Sequence, residues 1–195
     1  MQAQALPARQ PVGMEHLDQQ GLEAGLDHIA AAPSDVGTVE LIVRRPTVDE
    51  REVLDIGELD PAVGLVGDTW SIRGSSRTGD GSAHPDMQLN VMNARAIDLV
   101  ARAPERWALA GDQLYLDLDL STSNLPAGTQ LALGSAVIEV TDQPHTGCAK
   151  FSRRFGPDAL RFVNSPVGTQ LRLRGLNARV VTAGTVCRGD AVTKL

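Results

Sequence analysis

Short runs of Val, Ile and Leu, separated by turn residues, dominate the chain from about residue 36 onward. Several runs are rich in β-branched residues, and at 114–120 apolar and polar residues alternate, which is typical of a half-buried β-strand. Regular spacing of short strands with few helices favours a β-barrel or a β-sandwich over a doubly wound α/β sheet. The predicted strands are 37–45, 49–56, 87–92, 113–120, 130–133, 136–141, 169–174, 178–183 and one near the C-terminal end.

A few segments have a helical pattern instead. Apolar residues at Met14, Leu17, Leu22, Leu26 and Ile29 form a helical stripe that predicts a helix ending before Pro33. This stripe either packs on the main body or serves as a dimerisation surface, so a homodimer is one expectation. Further helical turns are predicted at 57–65, 93–103 and 157–163, the second with Asn93 as N-cap.

This pattern divides the chain into three parts. Residues 1–12 carry two prolines and little apolar mass, and we expect a flexible leader there. Residues 13–35 form the N-terminal helical segment, and residues 36–195 form the β domain. Within that domain residues 67–73 are expected to be a turn leading into extended chain. The polar segment 74–86 is expected to be a long loop, able to close over a site.

Charge and composition exclude several classes of partner. The net charge of −6 and the aromatic content of 3% argue against nucleic acid and against an anionic membrane surface. No signal peptide pattern and no apolar run of about 20 residues is present, which predicts a cytoplasmic protein. Cys148 and Cys187 do not form the disulfide framework of a secreted protein.

The residues with the clearest chemical potential lie between 143 and 156. Cys148 has His145 three residues before it and Lys150, Arg153 and Arg154 shortly after it. Neighbouring cations stabilise a thiolate, which is the form of cysteine that attacks substrates and binds metals. His145 could orient the thiol, act as acid or base, or bind a metal. The alternatives are a buried, inert cysteine and a loop histidine bonded to the backbone.

Other motifs are weaker. His-x-x-Cys supplies only half of a zinc site, and no second pair of ligands follows at suitable spacing. Neither a Gly-x-Ser-x-Gly elbow nor a phosphate-binding glycine loop is present. Asp117 and Asp119 fit the outward face of a strand better than a catalytic pair. Cys187 occupies a strand position where a small apolar residue fits, so we interpret it as structural.

Five places in the sequence resemble the MOSC domain, the module at the C-terminus of molybdenum cofactor sulfurases and in stand-alone bacterial proteins. The resemblance spans roughly residues 36–194. It is carried by the glycine–aspartate turn at 64–68, the strand and helix start at 86–93, the Ser-Thr-Ser-Asn-Leu element at 121–125, the cysteine region at 144–151 and the closing Gly-x-Val-x-x-Gly-Asp turn at 184–190.

The resemblance implies a mostly β, barrel-like fold with a molybdopterin-type cofactor as ligand. In this family a cysteine, matched here by Cys148, can bind the molybdenum of that cofactor or carry sulfur. Cations suit its phosphate group. The resemblance further implies reduction of N-hydroxylated compounds with an electron-donor protein as partner. The residues expected to bind the cofactor are Lys150, Arg153, Arg154, Arg73 and, as a loop donor, Asn124.

Two departures weaken this implication. Trp70 follows Gly67-Asp68-Thr69, where many family members have basic residues, and no extra N-terminal β domain is expected. Two other functions therefore stay open. One is a cofactor-free interaction module that uses the helix at 14–31, and the other is a metal-free thiol enzyme that uses Cys148 and His145.

Overall fold

The computed structural model describes residues 15–195 and shows a closed β-barrel with helices packed on its outside. The predicted leader, residues 1–12, and Met14 lie outside the described residues. The strands are β1 Val36–Arg44, β2 Glu52–Leu54, β3 Ile56–Asp60, β4 Gly64–Leu65, β5 Leu89–Asn93, β6 Leu114–Asp117, β7 Gln130–Leu133, β8 Ala136–Val140, β9 Leu176–Thr182, β10 Gly184–Cys187 and β11 Ala191–Lys194. The α-helices are α1 Gln19–Glu23, α2 Leu26–Ala30, α3 Trp70–Arg73, α4 Ala94–Ala101, α5 Ala149–Phe155, α6 Pro157–Val163 and α7 Pro166–Gln170, and Pro85–Met87 and Pro104–Ala110 are 3₁₀ helices.

Seven strands form the barrel, in the order β11-β7-β8-β9-β5-β6-β1. The first residues of β1 pair with β11 and close it, while the last residues of β1 pair with β2 outside the closed ring. All neighbours in the barrel are antiparallel except β5 and β6, whose parallel pairing is allowed by the crossover through α4. A smaller sheet of β10, β3 and β4 lies beside the barrel. The prediction of a mostly β, barrel-like fold with a few short helices is confirmed.

Side chains alternate between two apolar layers. On β6, Leu114 and Leu116 point into the barrel, whereas Tyr115 between them joins the layer of side chains under the helices. Branched aliphatic residues fill the barrel, in line with the low aromatic content, and the helical layer contains Phe151, Phe155 and most of the other aromatic rings. The barrel interior is therefore a packed core and not a pore.

The N-terminal segment is helical, as predicted, but it is broken into two short helices, α1 and α2. The break lies at Ala24 and Gly25, where a Cβ atom on Gly25 would approach the Leu99 side chain to 2.5 Å. Leu22 and Ile29 are buried in the helical layer. The apolar stripe thus packs on the main body, which agrees with the first of the two interpretations.

Two local predictions are wrong. Residues 57–65 form the β3–β4 hairpin and not helical turns, because the Asp60 carboxylate accepts hydrogen bonds from the backbone of Ala62 and Val63 and closes a turn. Residues 169–174 are not a strand. The hydroxyl of Ser165 caps the start of α7, which ends at Gln170 and leads into a turn.

Two further segments differ from the expectation. Residues 70–73 are helical because Asp68 accepts a hydrogen bond from the backbone of Trp70 and starts α3. Residues 149–155 form α5, for which the sequence pattern predicted neither helix nor strand. The predicted helices at 93–103 and 157–163 are confirmed as α4 and α6, and Asn93 caps α4 through the backbone N–H of Ala96.

Candidate functional site

A cavity of about 310 Å³ lies between the loop that follows β1 (residues 45–51), α3 and the start of α5. Cys148 and His145 both line it. Its wall is strongly basic, although the whole chain carries a net negative charge. The cationic residues of the wall are Arg45, Arg51, Arg73, Lys150, Arg154 and Arg174.

Arg45 is fixed at the cavity wall by a buried ion pair. Its guanidinium donates two hydrogen bonds to the Asp68 carboxylate, at 2.8 and 2.7 Å, and others to Asn90 and to the backbone carbonyl of Gly111. Asp68 also accepts hydrogen bonds from the backbone N–H groups of Arg45 and Trp70. The same carboxylate therefore neutralises Arg45 and places α3, and with it Arg73, at the cavity wall.

Asp112 is the second buried carboxylate and contacts two residues of the wall. Arg174 Nη1 lies 2.9 and 2.7 Å from the two carboxylate oxygens, and His145 Nε2 lies 2.8 Å from Oδ1. Burial raises the pKa of Asp112, but the charges and hydrogen bonds of Arg174 and His145 outweigh it and lower that pKa to about 2. Asp112 is therefore ionised at neutral pH.

His145 is held in its neutral form. Burial lowers its pKa, the positive charge of Arg174 lowers it further, and the attraction of Asp112 compensates only in part. Because Asp112 is ionised, the proton of the neutral ring is on Nε2, which donates to Oδ1 of Asp112. Nδ1 is then the ring nitrogen that can accept a proton, and His145 is one of the residues that line the cavity.

The cations of the wall outnumber the carboxylates that pair with them. Asp68 pairs with Arg45, Asp112 with Arg174, and Asp49 with both Lys150 and Arg154. Within the described range, 15–195, this leaves an excess of three positive charges at the wall.

Two arginines carry most of the uncompensated charge. Among residues 15–195 neither Arg51 nor Arg73 forms an ion pair, and burial and repulsion between arginines lower the pKa of both. Within the same range the buried Nε atoms of Arg51 and Arg174 have no hydrogen-bond partner. Such an arrangement is suited to a bound anion.

Cys148 is exposed and stands directly before α5, at its N-cap position. Burial raises the pKa of its thiol, but the backbone N–H groups of Phe151 and Lys150, with Arg174 and Arg154, lower the pKa below its ordinary value overall. Arg174 is held by Asp112 and by the ring of Phe151, 5.1 Å from its guanidinium carbon. The cavity thus combines an accessible thiol of lowered pKa with a surplus of cations.

The family model of the MOSC domain matches residues 78–193, more than half of the chain. The chain belongs to the MOSC domain family. No curated protein matches it.

Several solved structures have a similar fold. The YuaD protein from Bacillus subtilis is 15% identical with a TM-score of 0.60, and the alignment covers 80% of this chain and 94% of that one. YiiM from Escherichia coli is 21% identical with a TM-score of 0.52, over 81% of this chain and 69% of that one. YiiM from Geobacillus stearothermophilus is 13% identical with a TM-score of 0.51, over 83% and 73%. At these identities the likeness concerns the fold alone.

The MOSC barrel brings most of the predicted site residues together. Cys148, His145, Lys150, Arg154 and Arg73 all line the cavity. Lys150 and Arg154 are four residues apart on α5 and so lie on one face of that helix.

Two predicted residues lie elsewhere. Arg153 is exposed and does not line the cavity. The Asn124 amide donates to the carbonyls of Ser34 and Asp119 and accepts from Lys194, so it ties a loop together away from the cavity.

Five residues of the site were missed by sequence reasoning: Arg45, Asp49, Arg51, Asp112 and Arg174. Arg45, Asp49, Asp112 and Arg174 have ion-pair partners that are distant in sequence, so no local spacing indicates the pairs. The one available signal is the position of Arg45 directly after a strand. At Trp70 the sequence departs from the family pattern of basic residues. Trp70 is buried, and Arg45, Arg51 and Arg73 are basic residues that line the cavity wall instead.

The remaining candidate residues have other surroundings. Asp117 pairs with Arg95, and Asp119 accepts hydrogen bonds from Ser121. Cys187 is half-buried in β10, and residues 74–86 contribute nothing to the cavity wall. Among residues 15–195 no three His, Cys, Asp or Glu side chains are grouped so as to hold a metal ion. In that part of the chain no helix has the length and apolarity needed to cross a bilayer.

Asp112→Asn is expected to lower the free energy of unfolding by about 3–5 kcal/mol, because it leaves Arg174 buried without its counter-charge. Urea unfolding at pH 7 measures this change. Asp142→Asn is the matched control, since Asp142 is exposed, and we expect a change within about 0.5 kcal/mol. Equal stabilities of the two variants would contradict the assigned role of Asp112.

Alkylation of Cys148 by iodoacetamide is expected to reach half its maximal rate at a pH below that of an ordinary free thiol, about 8.5. Arg154→Gln should move this midpoint to higher pH, because it removes one of the charges that favour the thiolate. The Cys148→Ser variant supplies the background from Cys187. A wild-type midpoint at or above that of a free thiol would contradict the lowered pKa.

Proposed function

We propose that this protein binds a molybdopterin-type cofactor in the cationic cavity, with the Cys148 thiolate as a ligand of its molybdenum. The observation that carries the proposal is the excess of three positive charges around one accessible thiol whose pKa is lowered. Membership of the MOSC domain family makes this cofactor the expected anion.

The residues present fit such a group. A thiolate is a soft ligand and suits a soft metal centre or a persulfide. The buried, unpartnered Nε atoms of Arg51 and Arg174 are hydrogen-bond donors that a phosphate or another polar group of the ligand could satisfy. The volume of about 310 Å³ falls at the lower end of the range of small-molecule sites in proteins.

The cations divide into two groups by their surroundings. Arg45 and Arg174 are already bound by buried carboxylates and form a rigid floor. Arg51, Arg73, Lys150 and Arg154 are the groups that would hold the phosphate, because their charges are unpaired or paired only with the exposed Asp49. When bound, the cofactor would supply two-electron redox chemistry at its metal.

His145 is the residue suited to move protons in this site. Asp112 keeps the Nε2 proton in place, which leaves Nδ1 able to take up a proton and pass it to a substrate. Reduction of an N-hydroxylated compound to the amine consumes two electrons and two protons and releases water. We propose this reaction from the family likeness, with a donor protein for the electrons and His145 for a proton.

Sulfur transfer is the second candidate function, and the exposure of Cys148 favours it. The thiolate would attack the outer sulfur of a donor persulfide, form a persulfide on Cys148 and release the donor as its thiolate. A mass increase of one sulfur atom on the peptide that contains Cys148, after incubation with a persulfide donor, would demonstrate this step.

Molybdenum content of protein purified from molybdenum-supplied cells tests the first proposal. We expect nearly stoichiometric metal in the wild type and in Cys187→Ser, and a severe loss in Cys148→Ser, because only Cys148 lines the cavity. Wild-type protein without molybdenum, or equal contents in the two cysteine variants, would overturn the proposal.

A further inference from the structure

Among residues 15–195, Asp49 is the one carboxylate that lines the cationic cavity. A single oxygen of this side chain, Oδ1, lies 3.1 Å from Nζ of Lys150 and 3.0 Å from Nη2 of Arg154. These two cations belong to α5, whereas Asp49 belongs to the β1–β2 loop, residues 45–51. Asp49 thus occupies the pair of cations that the phosphate of a ligand would need.

We propose that Asp49 is an internal competitor for this site, which a phosphate-bearing ligand must displace from Lys150 and Arg154. The inference rests on the proposed function only in that the cavity binds such a ligand. Asp49 would then set how tightly that ligand binds and how fast it exchanges with solution. Asp49 lies outside residues 78–193, so the family match assigns nothing to it.

The exposure of the ion pairs makes displacement easy. The side chains of Asp49 and Lys150 are 57% and 51% exposed, and ion pairs between exposed groups contribute little to stability. A phosphate group carries more charge than a carboxylate and has three oxygens that can accept from both cations. The carboxylate can therefore occupy the cations and still yield to a phosphate.

The backbone of the loop agrees with this role. Asp49 has a φ of +65°, a left-handed conformation that few residues other than glycine adopt. Non-glycine residues in this conformation persist where their surroundings hold them, and they are frequent at ligand clamps and switches. Val48, beside Asp49, is 76% exposed, so this part of the loop buries little apolar surface. The two ion pairs are the contacts that hold Asp49 against α5.

The test compares the affinity of the wild type and two variants for inorganic pyrophosphate by isothermal titration calorimetry, at constant low ionic strength. Asp49→Asn removes the competing charge, and asparagine accepts the left-handed backbone well. We expect its affinity to rise about three- to tenfold, the range that two weak ion pairs allow. Glu50→Gln is the matched control. This substitution removes the same charge from the same loop. The side chain of Glu50 is exposed and does not contact α5, so the affinity for pyrophosphate should stay within about twofold.

A second comparison tests whether Asp49 changes pyrophosphate affinity through its contacts with Lys150 and Arg154. In a Lys150→Gln background, Asp49→Asn should give a smaller gain, because one of the two contested cations is gone. Equal affinities of the wild type and Asp49→Asn, or an equal gain in Glu50→Gln, would overturn the inference and leave the molybdenum proposal intact. Tighter pyrophosphate binding by Asp49→Asn, with no such gain in Glu50→Gln, would support the inference, whatever the molybdenum content of the protein.

Discussion

Asp112 carries a negative charge without contact to solvent, and the cavity depends on how that charge is balanced. A buried ion needs partners of good geometry, or the cost of removing it from water destabilises the fold. Arg174 and His145 supply those partners, and each is thereby held at the cavity wall, Arg174 as a fixed cation and His145 as a neutral ring. The contacts that compensate the buried charge of Asp112 therefore also orient Arg174 and His145 in the site. Asp68 does the equivalent for Arg45, another residue of the cavity wall.

The exposed cations and the thiol line the same cavity as these fixed groups. α5 begins at the cavity, so its N-cap residue Cys148 and its second residue Lys150 line the wall, and Arg154 follows one turn after Lys150. The β1–β2 loop brings Arg51 from the other side, together with Asp49 as the carboxylate that partly offsets the cations. A thiolate and a phosphate-binding surface in one cavity match the needs of a ligand that joins a soft metal or sulfur to a phosphate.

The β architecture and part of the site were predictable because their signals are local. Alternation marks the strands, and the segment around Cys148 shows its cations within a few residues of the thiol. Alternating Leu171 and Leu173 resembled a strand, but the Ser165 cap and Pro166 start a helix before them. The ion pairs could not be predicted, since Asp112 and Arg174 are 62 residues apart and Asp49 and Lys150 are 101 apart. Only the tertiary fold brings these residues together. Asn124 was misplaced for the same reason, as its partners come from three separate segments.

The central claim is that the cations and Cys148 form one site. Its most direct test is the rate of Cys148 alkylation across pH with and without saturating pyrophosphate, at constant ionic strength and with Cys148→Ser as background. An anion bound among the cations should raise the pKa of the thiol and block access to it. We expect slower alkylation and a midpoint at higher pH in the presence of pyrophosphate. If pyrophosphate binds and the alkylation profile is unchanged, the thiol and the cations act independently and the account is contradicted.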